Sequence, residues 1–427
     1  MIIVDTALRK REEEGRPIRV GIVGAGYMGR GITLHIQGGT LGMRVAAISN
    51  RTLSRAEQAF RDAGDTPRRV ETAAELEAAI ARGEPAVTED HMLLCGADGI
   101  DVVIEATGEV EFGAHVVLRA IEHRKHVVLM NAELDATVGP ILKMRADQAG
   151  VVITNTDGDQ PGVVMNLLRF VRTIGYKPVL AGNIKGMIDP YRTPDTQRGF
   201  AEANKQGVKM ITSFADGTKI SMEMAVVANA TGFRVARRGM YGPACAHAND
   251  APRLFDHDEL LRGGMVDYIL GAEPGPGVFV LGYSDEPIRR QYMNYFKMGD
   301  GPFYTFYTPY HLPHIEAPLT VARAALFGDA ATAPVGAPVC GVLTVAKKDL
   351  RAGETLDGIG GFACYGTIDN SEVLARDDLL PMGLSEGCRL KTDIPKDQPI
   401  RFADVVLPEG RLCDRLYAEQ AERFGAA

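Results

Sequence analysis

No run in this sequence approaches the roughly 20 consecutive apolar residues that a membrane-spanning helix requires, so no such helix is predicted. Its six cysteines (Cys95, Cys245, Cys340, Cys364, Cys388, Cys413) include no C-x-x-C pair. Thiols scattered in this way suggest neither a disulfide scaffold nor a zinc site, and they suit a reducing cytoplasm. An excess of positive charge is also missing: 47 Lys and Arg stand against 55 Asp and Glu, a net charge of −8. That balance argues against nucleic acid or an anionic membrane surface as the main partner. A bound phosphate therefore needs a local basic pocket. The charged string Arg9-Lys10-Arg11-Glu12-Glu13-Glu14 interrupts any apolar stretch near the start, so no signal peptide is expected and the expected location is cytoplasmic. What is present is ordinary for a globular chain: 427 residues, 45% hydrophobic and 24% charged, enough for two or three domains.

Residues 1–16 predict a short charged helix ending at Gly15, with Pro17 forcing an extended entry. Strand and helix then alternate. Arg19-Val20-Gly21-Ile22-Val23 reads as a buried strand, Tyr27 to Ile36 as a helix, Met43 to Ser49 as a strand and Ser54 to Arg61 as a helix. Further apolar runs lie at Asp101–Ala106, His126–Met130 and Val151–Thr154, with the helical stretch Gly113–Glu122 among them. This alternation predicts an α/β domain, a parallel sheet with helices on both faces, over residues 1–160. Glycine, tyrosine and proline are dense between 232 and 318, which predicts long ordered loops in an α+β substrate and dimerisation domain spanning 161–334. Residues 335–427 read as a third, mostly β region with a C-terminal helix. A faint repeat runs through it: Val345–Leu356 (VAKKDLRAGETL) is echoed by Lys391–Ile400 (KTDIPKDQPI), each expected as a strand, an acidic turn and a second short strand.

Gly24-Ala25-Gly26-Tyr27-Met28-Gly29 is a G-x-G-x-x-G that directly follows a strand and opens a helix. The first glycine permits the tight turn, the second lets the backbone approach a pyrophosphate, and the third lets helix pack on strand, with the helix N-terminus facing the phosphates. The motif in this context predicts a Rossmann dinucleotide site; the alternative is a plain glycine turn. An NAD enzyme of this kind carries an acid about 20 residues past the glycines, on the ribose hydroxyls. Here the second strand ends in Ser49-Asn50-Arg51-Thr52, with no acid to repel a 2′-phosphate and Arg51 to pair with it. NADPH is the expected cofactor. Ala106-Thr107-Gly108 and Asn131 follow two further strands, at the edge where the nicotinamide half of the cofactor lies.

Two more loops close strands at the same edge, Asn131-Ala132-Glu133 and Asp157-Gly158-Asp159-Gln160-Pro161-Gly162. Asp157 and Asp159 can converge on a hard cation such as Mg²⁺ or Mn²⁺, or serve with Glu133 as acid–base groups. An acidic turn held by its own Asx hydrogen bonds is the plain alternative. If Asp157 acts on substrate, Asp157→Asn abolishes turnover and leaves the melting temperature unchanged. Farther along, Lys185 lies between glycines after an apolar strand, and Lys205, Lys209, Ser213 and Lys219 concentrate cations and a hydroxyl. In an acidic protein these form a candidate anion pocket; the alternative is solvated lysines on a helix and a hairpin turn. Glu223, inside the apolar helix Ser221–Asn229, needs a partner if buried. His311-Leu312-Pro313-His314 invites a metal reading, but the proline precludes a regular helical pair, so a structural role is expected.

The strand–helix–strand from Val103 to Asn131 resembles the homoserine dehydrogenase family, and the repeat in 345–400 resembles an SAF (antifreeze-like, β-clip) module. Together with TNTDGDQPG, TSFADGTK, SMEMAVVANATG and YFKMGDGPFYTFYTPYHL, these phrases resemble the deoxyxylulose-phosphate reductoisomerase-like (DRL) branch of that family across nearly the whole chain. The resemblance implies a homodimer that converts 1-deoxy-D-xylulose 5-phosphate to 2-C-methyl-D-erythritol 4-phosphate with NADPH and a divalent cation, feeding isoprenoid synthesis. Ordinary reductoisomerases carry an A-N-K-E loop and a D-S-E metal motif. Asn131-Ala132-Glu133 and Asp157-Gly158-Asp159 resemble these, with Ala132 in place of the lysine and Asp159 in place of the glutamate, and no third metal ligand is apparent. Two other readings stay open: a dehydrogenase of another sugar, polyol or hydroxyaldehyde that makes no rearrangement, and a non-enzymatic NADP-binding sensor.

Overall fold

The computed structural model describes residues 2–425, which form two compact units. Residues 1–159 and 312–333 make the first; residues 160–311 and 334–427 make the second. Leu312–Ala333 thus belongs to the first unit and the C-terminal region to the second.

The first unit is built on seven parallel strands: β1 (Ile18–Val23), β2 (Met43–Ser49), β3 (Arg68–Arg69), β4 (Ala86–Thr88), β5 (Val102–Glu105), β6 (His126–Leu129) and β7 (Ile153–Asn155), ordered β3-β4-β2-β1-β5-β6-β7. The expected N-terminal helix is present as Ile2–Glu13, and Gly15 beyond it takes φ +64°. Ile22, Ile104 and Val128, from β1, β5 and β6, are fully buried because helices cover both faces of the sheet. One cover is the helix Ala317–Phe327, whose Ala317, Val321 and Ala322 join this core although they lie far along the chain. The helix Ala132–Ala149 breaks at Val138 (φ −135°), because Pro140 removes a backbone donor and disfavours helical geometry just before it.

The second unit holds a mixed four-stranded sheet of β8 (Lys177–Lys185), β9 (Met265–Leu270), β10 (Gly277–Tyr283) and β11 (Phe303–Thr308), ordered β11-β10-β8-β9 with only β8 and β9 parallel. The helix Thr218–Thr231 is buried from Thr218 to Ala230 because it packs on this sheet and also on the antiparallel pair β12 (Cys340–Ala346) and β13 (Cys364–Asn370). Both ends of that helix are tied to the pair. Gly366 donates its N–H to the Thr218 hydroxyl (2.8 Å), and Asn229 Oδ1 accepts from the Val339 and Cys340 N–H groups (2.7 and 3.1 Å). A buried ion pair adds to this, with Lys347 Nζ 2.9 Å from Asp216 and donating also to the carbonyls of Arg192 and Gly361.

The repeat folds back on itself. Leu350 and Ile394 exchange backbone hydrogen bonds (2.9 and 3.0 Å), and each repeat's aspartate caps the other copy. Asp349 accepts from the Lys396 N–H and Asp393 from the Ala352 N–H, both at 2.9 Å, so equivalent positions are related by a local two-fold. The second copy pairs through isolated bridges and makes no continuous strand.

Candidate functional site

The glycine loop has the geometry that its motif anticipates. A Cβ on Gly24 (φ +107°) would lie 2.7 Å from the Ala106 carbonyl oxygen, and one on Gly29 would lie 2.0 Å from the Gly24 oxygen. One on Gly26 would meet nothing within 4 Å, so open space lies where a pyrophosphate would approach. The helix Tyr27–Gly39 begins at Gly26 with no side-chain cap, which leaves its first N–H groups to a ligand. Asn50 serves the loop: its Oδ1 accepts from the Ala25 N–H (3.0 Å) and its Nδ2 donates to the Thr52 carbonyl (2.9 Å). Arg51 is exposed and has no ion-pair partner among the described residues. Tyr27 is half exposed, its ring edge-on to His314 at 5.7 Å, so His314 is a packing residue of this loop. These residues fit a dinucleotide.

At the ends of β5, β6 and β7 the side chains are buried and polar. Glu105 accepts from the Thr107 N–H (2.8 Å) and hydroxyl, shaping the Ala106-Thr107-Gly108 turn, and burial raises its pKa. Asn131 caps the next helix by accepting from the Leu134 N–H (3.0 Å), and Glu133 is buried in that helix's first turn. Asp135, one turn in, is fully enclosed and accepts from Asn155 Nδ2; burial pushes its pKa up to about 7. The folded protein therefore holds that proton between the ordinary value of 3.8 and about 7, and loses stability as pH rises through this window. The displacement is equivalent to at most about 4 kcal/mol. Asp135→Asn is expected to raise the melting temperature at about pH 8 and to change it little near pH 4. An equal change at both values, in thermal unfolding across the range, removes Asp135 as the source.

Asp157 does not stand alone. Its carboxylate is ion-paired with the Arg323 guanidinium, which also holds Asp329 (2.6 and 2.9 Å), and its N–H donates to the Thr320 hydroxyl (2.7 Å). Gly158 leaves room for Leu312, whose carbonyl oxygen a Cβ would approach to 2.3 Å. Asp159 is buried at the end of the first unit.

The second unit gathers a separate polar cluster. Asn183 and Lys185, two apart on β8, project from one face of the strand. Asn183 Nδ2 donates to Gln160 Oε1 (2.8 Å) and Glu223 Oε2 (3.0 Å); Lys185 Nζ donates to the same Gln160 oxygen (2.7 Å) and lies 3.5 Å from Glu223. Lys219 is buried one turn before Glu223 on the same helix, so the expected alternative of a solvated lysine in a hairpin turn does not hold for it. Lys209 and Ser213 stand apart from this cluster. Lys209 reaches the Asp357 carbonyl (2.7 Å) and Glu386 (3.3 Å), while the Ser213 hydroxyl turns back onto the Met210 carbonyl (2.7 Å). Lys205 is exposed.

Residues 24–154 match the family model "Homoserine dehydrogenase, NAD binding domain", and residues 158–317 match "Oxidoreductase DRL, catalytic domain". The chain is an NAD(P)-binding oxidoreductase of the DRL branch of the homoserine-dehydrogenase-like family. None of the curated proteins compared with it matches in sequence. Among solved structures, a homoserine dehydrogenase from Thiobacillus denitrificans is 15% identical, with 79% of this chain and 84% of its own covered and a TM-score of 0.42. A DOX-P reductoisomerase in complex with magnesium is 11% identical over 74% of this chain and 70% of its own, with a TM-score of 0.41. The yvaA protein of Bacillus subtilis is 20% identical over 41% of this chain, with a TM-score of 0.29; the chain spans 46% of that protein's length.

In this DRL chain the divalent cation finds no ready set of ligands. Among the described residues no group of three or more His, Cys, Asp or Glu side chains is placed to hold one, and Asp157 is engaged by Arg323. Sequence reasoning passed over Glu105, Asp135, Gln160, Asn183 and Arg323. A carboxylate ending a buried strand was signal enough for Glu105. Arg323, 166 positions from Asp157, had none.

Proposed function

We propose that this DRL protein is an NADPH-dependent reductase of a phosphorylated sugar, and that its reaction is the conversion of 1-deoxy-D-xylulose 5-phosphate to 2-C-methyl-D-erythritol 4-phosphate. The observation that carries the cofactor assignment is the pairing of an open Gly26 cradle with Arg51 at the ribose end of β2. In this reading Gly24, Gly26 and the uncapped N–H groups after it hold the pyrophosphate, and Arg51 takes the 2′-phosphate. Bound NADPH supplies a hydride. The proton that a carbonyl oxygen needs is assigned to Lys185, which donates to Gln160 and lies 3.5 Å from Glu223.

A second reading, reduction without rearrangement, is favoured by the Asp157–Arg323 pair, because an aspartate already neutralised by arginine is a poor metal ligand. Assays of NADPH oxidation with the ketose phosphate and with unphosphorylated hydroxyaldehydes, with and without Mg²⁺, separate the two when products are read by NMR. A branched polyol phosphate supports the first. An unbranched product, or turnover of hydroxyaldehydes only, replaces it with the second. Tight NADPH binding with no turnover on any of them leaves a sensor.

Arg51→Ala is expected to raise KM for NADPH roughly 10- to 100-fold, the loss of charge-assisted bonds of about 1.5–3 kcal/mol, with NADH nearly unchanged. Equal losses for both cofactors take Arg51 out of the 2′-phosphate site.

A further inference from the structure

A cavity of about 300 Å³ opens at the end of the first unit's sheet opposite the glycine loop, lined by Arg11, Asp98, Asp101, Arg124, Lys125 and His126 with Ile18, Ile100 and Ala325. It lies where β1, β5 and β6 begin, whereas the nucleotide loop lies where β1 ends. The six residues Ile18–Val23 separate the two by ~20 Å at the ordinary strand rise.

The charges around it do not cancel. Asp101 is taken by Arg19, whose N–H and guanidinium both bond its carboxylate (2.8–3.3 Å). That leaves Arg11, Arg124 and Lys125 against Asp98, which is exposed. Lys125 is 7% exposed, yet its ammonium makes no hydrogen bond or ion pair among the described residues. Its stem is buried while the ammonium still meets the solvent of the cavity, where an anion can reach it. His126 Nδ1 accepts from the Val152 N–H (3.0 Å), which fixes the tautomer with Nε2–H as a donor. Arg124 sits at φ +55°, a left-handed position where glycine is usual and a longer side chain is a cost. Burial lowers the Lys125 pKa, while the carboxylates of Asp98, Asp101 and Glu77 act in the opposite direction.

We infer that this cavity binds a small phosphate-bearing anion at a site distinct from the nucleotide site. The charge matches: a phosphate dianion accepts from an ammonium, a guanidinium and an imidazole N–H together. The volume admits inorganic phosphate or a small phosphate monoester.

Thermal unfolding of the full chain tests this, with inorganic phosphate and with glycerol 3-phosphate, ionic strength matched by chloride, with and without saturating NADPH. Phosphate is expected to raise the melting temperature by roughly 2–5 °C, whether or not NADPH is present. Lys125→Met should abolish the phosphate increment and keep the NADPH increment. Arg124→Gly, which suits the backbone there, should weaken phosphate binding about tenfold without loss of folding, and keeps the test open if Lys125→Met fails to fold. A larger increment with the monoester than with inorganic phosphate identifies an esterified metabolite; equal increments identify phosphate itself. Phosphate stabilisation that disappears under NADPH or in Arg51→Ala, or that survives both cavity variants, overturns the proposal.

Discussion

Arg323→Met is expected to destabilise the first unit by about 3–5 kcal/mol, the usual cost of removing one partner from a buried ion pair. Arg323 is only 9% exposed and holds two carboxylates, Asp157 on the turn after β7 and Asp329 beyond its own helix. Methionine fills the volume of the arginine stem, so packing is preserved while Asp157 is left buried without its cation. Glu316, half-buried, already has its pKa raised first by burial and then by the Asp157 charge, so the loss of Arg323 leaves two acids facing each other. Urea denaturation followed by far-ultraviolet dichroism gives the number. Asp329→Asn, at a more exposed carboxylate, should cost well under half as much. The expectation that Asp157→Asn leaves the melting temperature unchanged gives way on the same grounds: that variant should lower it, whatever it does to turnover. A loss below about 1 kcal/mol in Arg323→Met shows that the triad is not what holds this turn.

The N-terminal half was legible because its signals are local. Met43–Ser49 is the strand the sequence predicts, residue for residue, and the glycine motif specifies three steric roles that recur in the close contacts of Gly24 and Gly29 and the open space at Gly26. The two strands that escaped, β3 and β4, are two and three residues long, and β3 consists of exposed arginines with no apolar signature. Reading the second unit was harder for a different reason. Lys185 looked like a loop residue between glycines, yet it is the last residue of a nine-residue strand, and its meaning comes from Gln160 and Glu223 on two different helices. No window of sequence contains that cluster. The return of Ala317–Phe327 to the first unit is equally non-local: its small residues fit against Ile22 and Ile104, which is a property of the sheet and not of the helix. Lys209 and Lys185, neighbours in a list of cations, part company because helix Val208–Ala215 turns Lys209 toward Asp357 and Glu386.

That separation changes what is expected of Lys185. A lysine meant for a phosphate dianion is poorly served by a carboxylate 3.5 Å away, which would repel the ligand. The same carboxylate is no obstacle to a lysine that delivers a proton to a neutral carbonyl. Lys185→Ala is therefore expected to lower kcat by roughly 10²- to 10⁴-fold, the usual worth of a positioned acid or base. It should do so by the same factor for a phosphorylated substrate and its unphosphorylated analogue, with KM for NADPH unchanged. Glu223→Gln removes the carboxylate beside Lys185 and should lower kcat while KM for NADPH stays unchanged. A purely structural role for Glu223 would lower stability and leave kcat of the folded variant unchanged. If Lys185→Ala instead weakens only the phosphorylated substrate, by the 10- to 100-fold that a charge-assisted bond is worth, Lys185 holds the phosphate and the proton must come from elsewhere in the cluster. If neither substrate is affected, the Gln160–Asn183–Lys185–Glu223 cluster is internal support for the sheet, and the reacting carbonyl does not lie there.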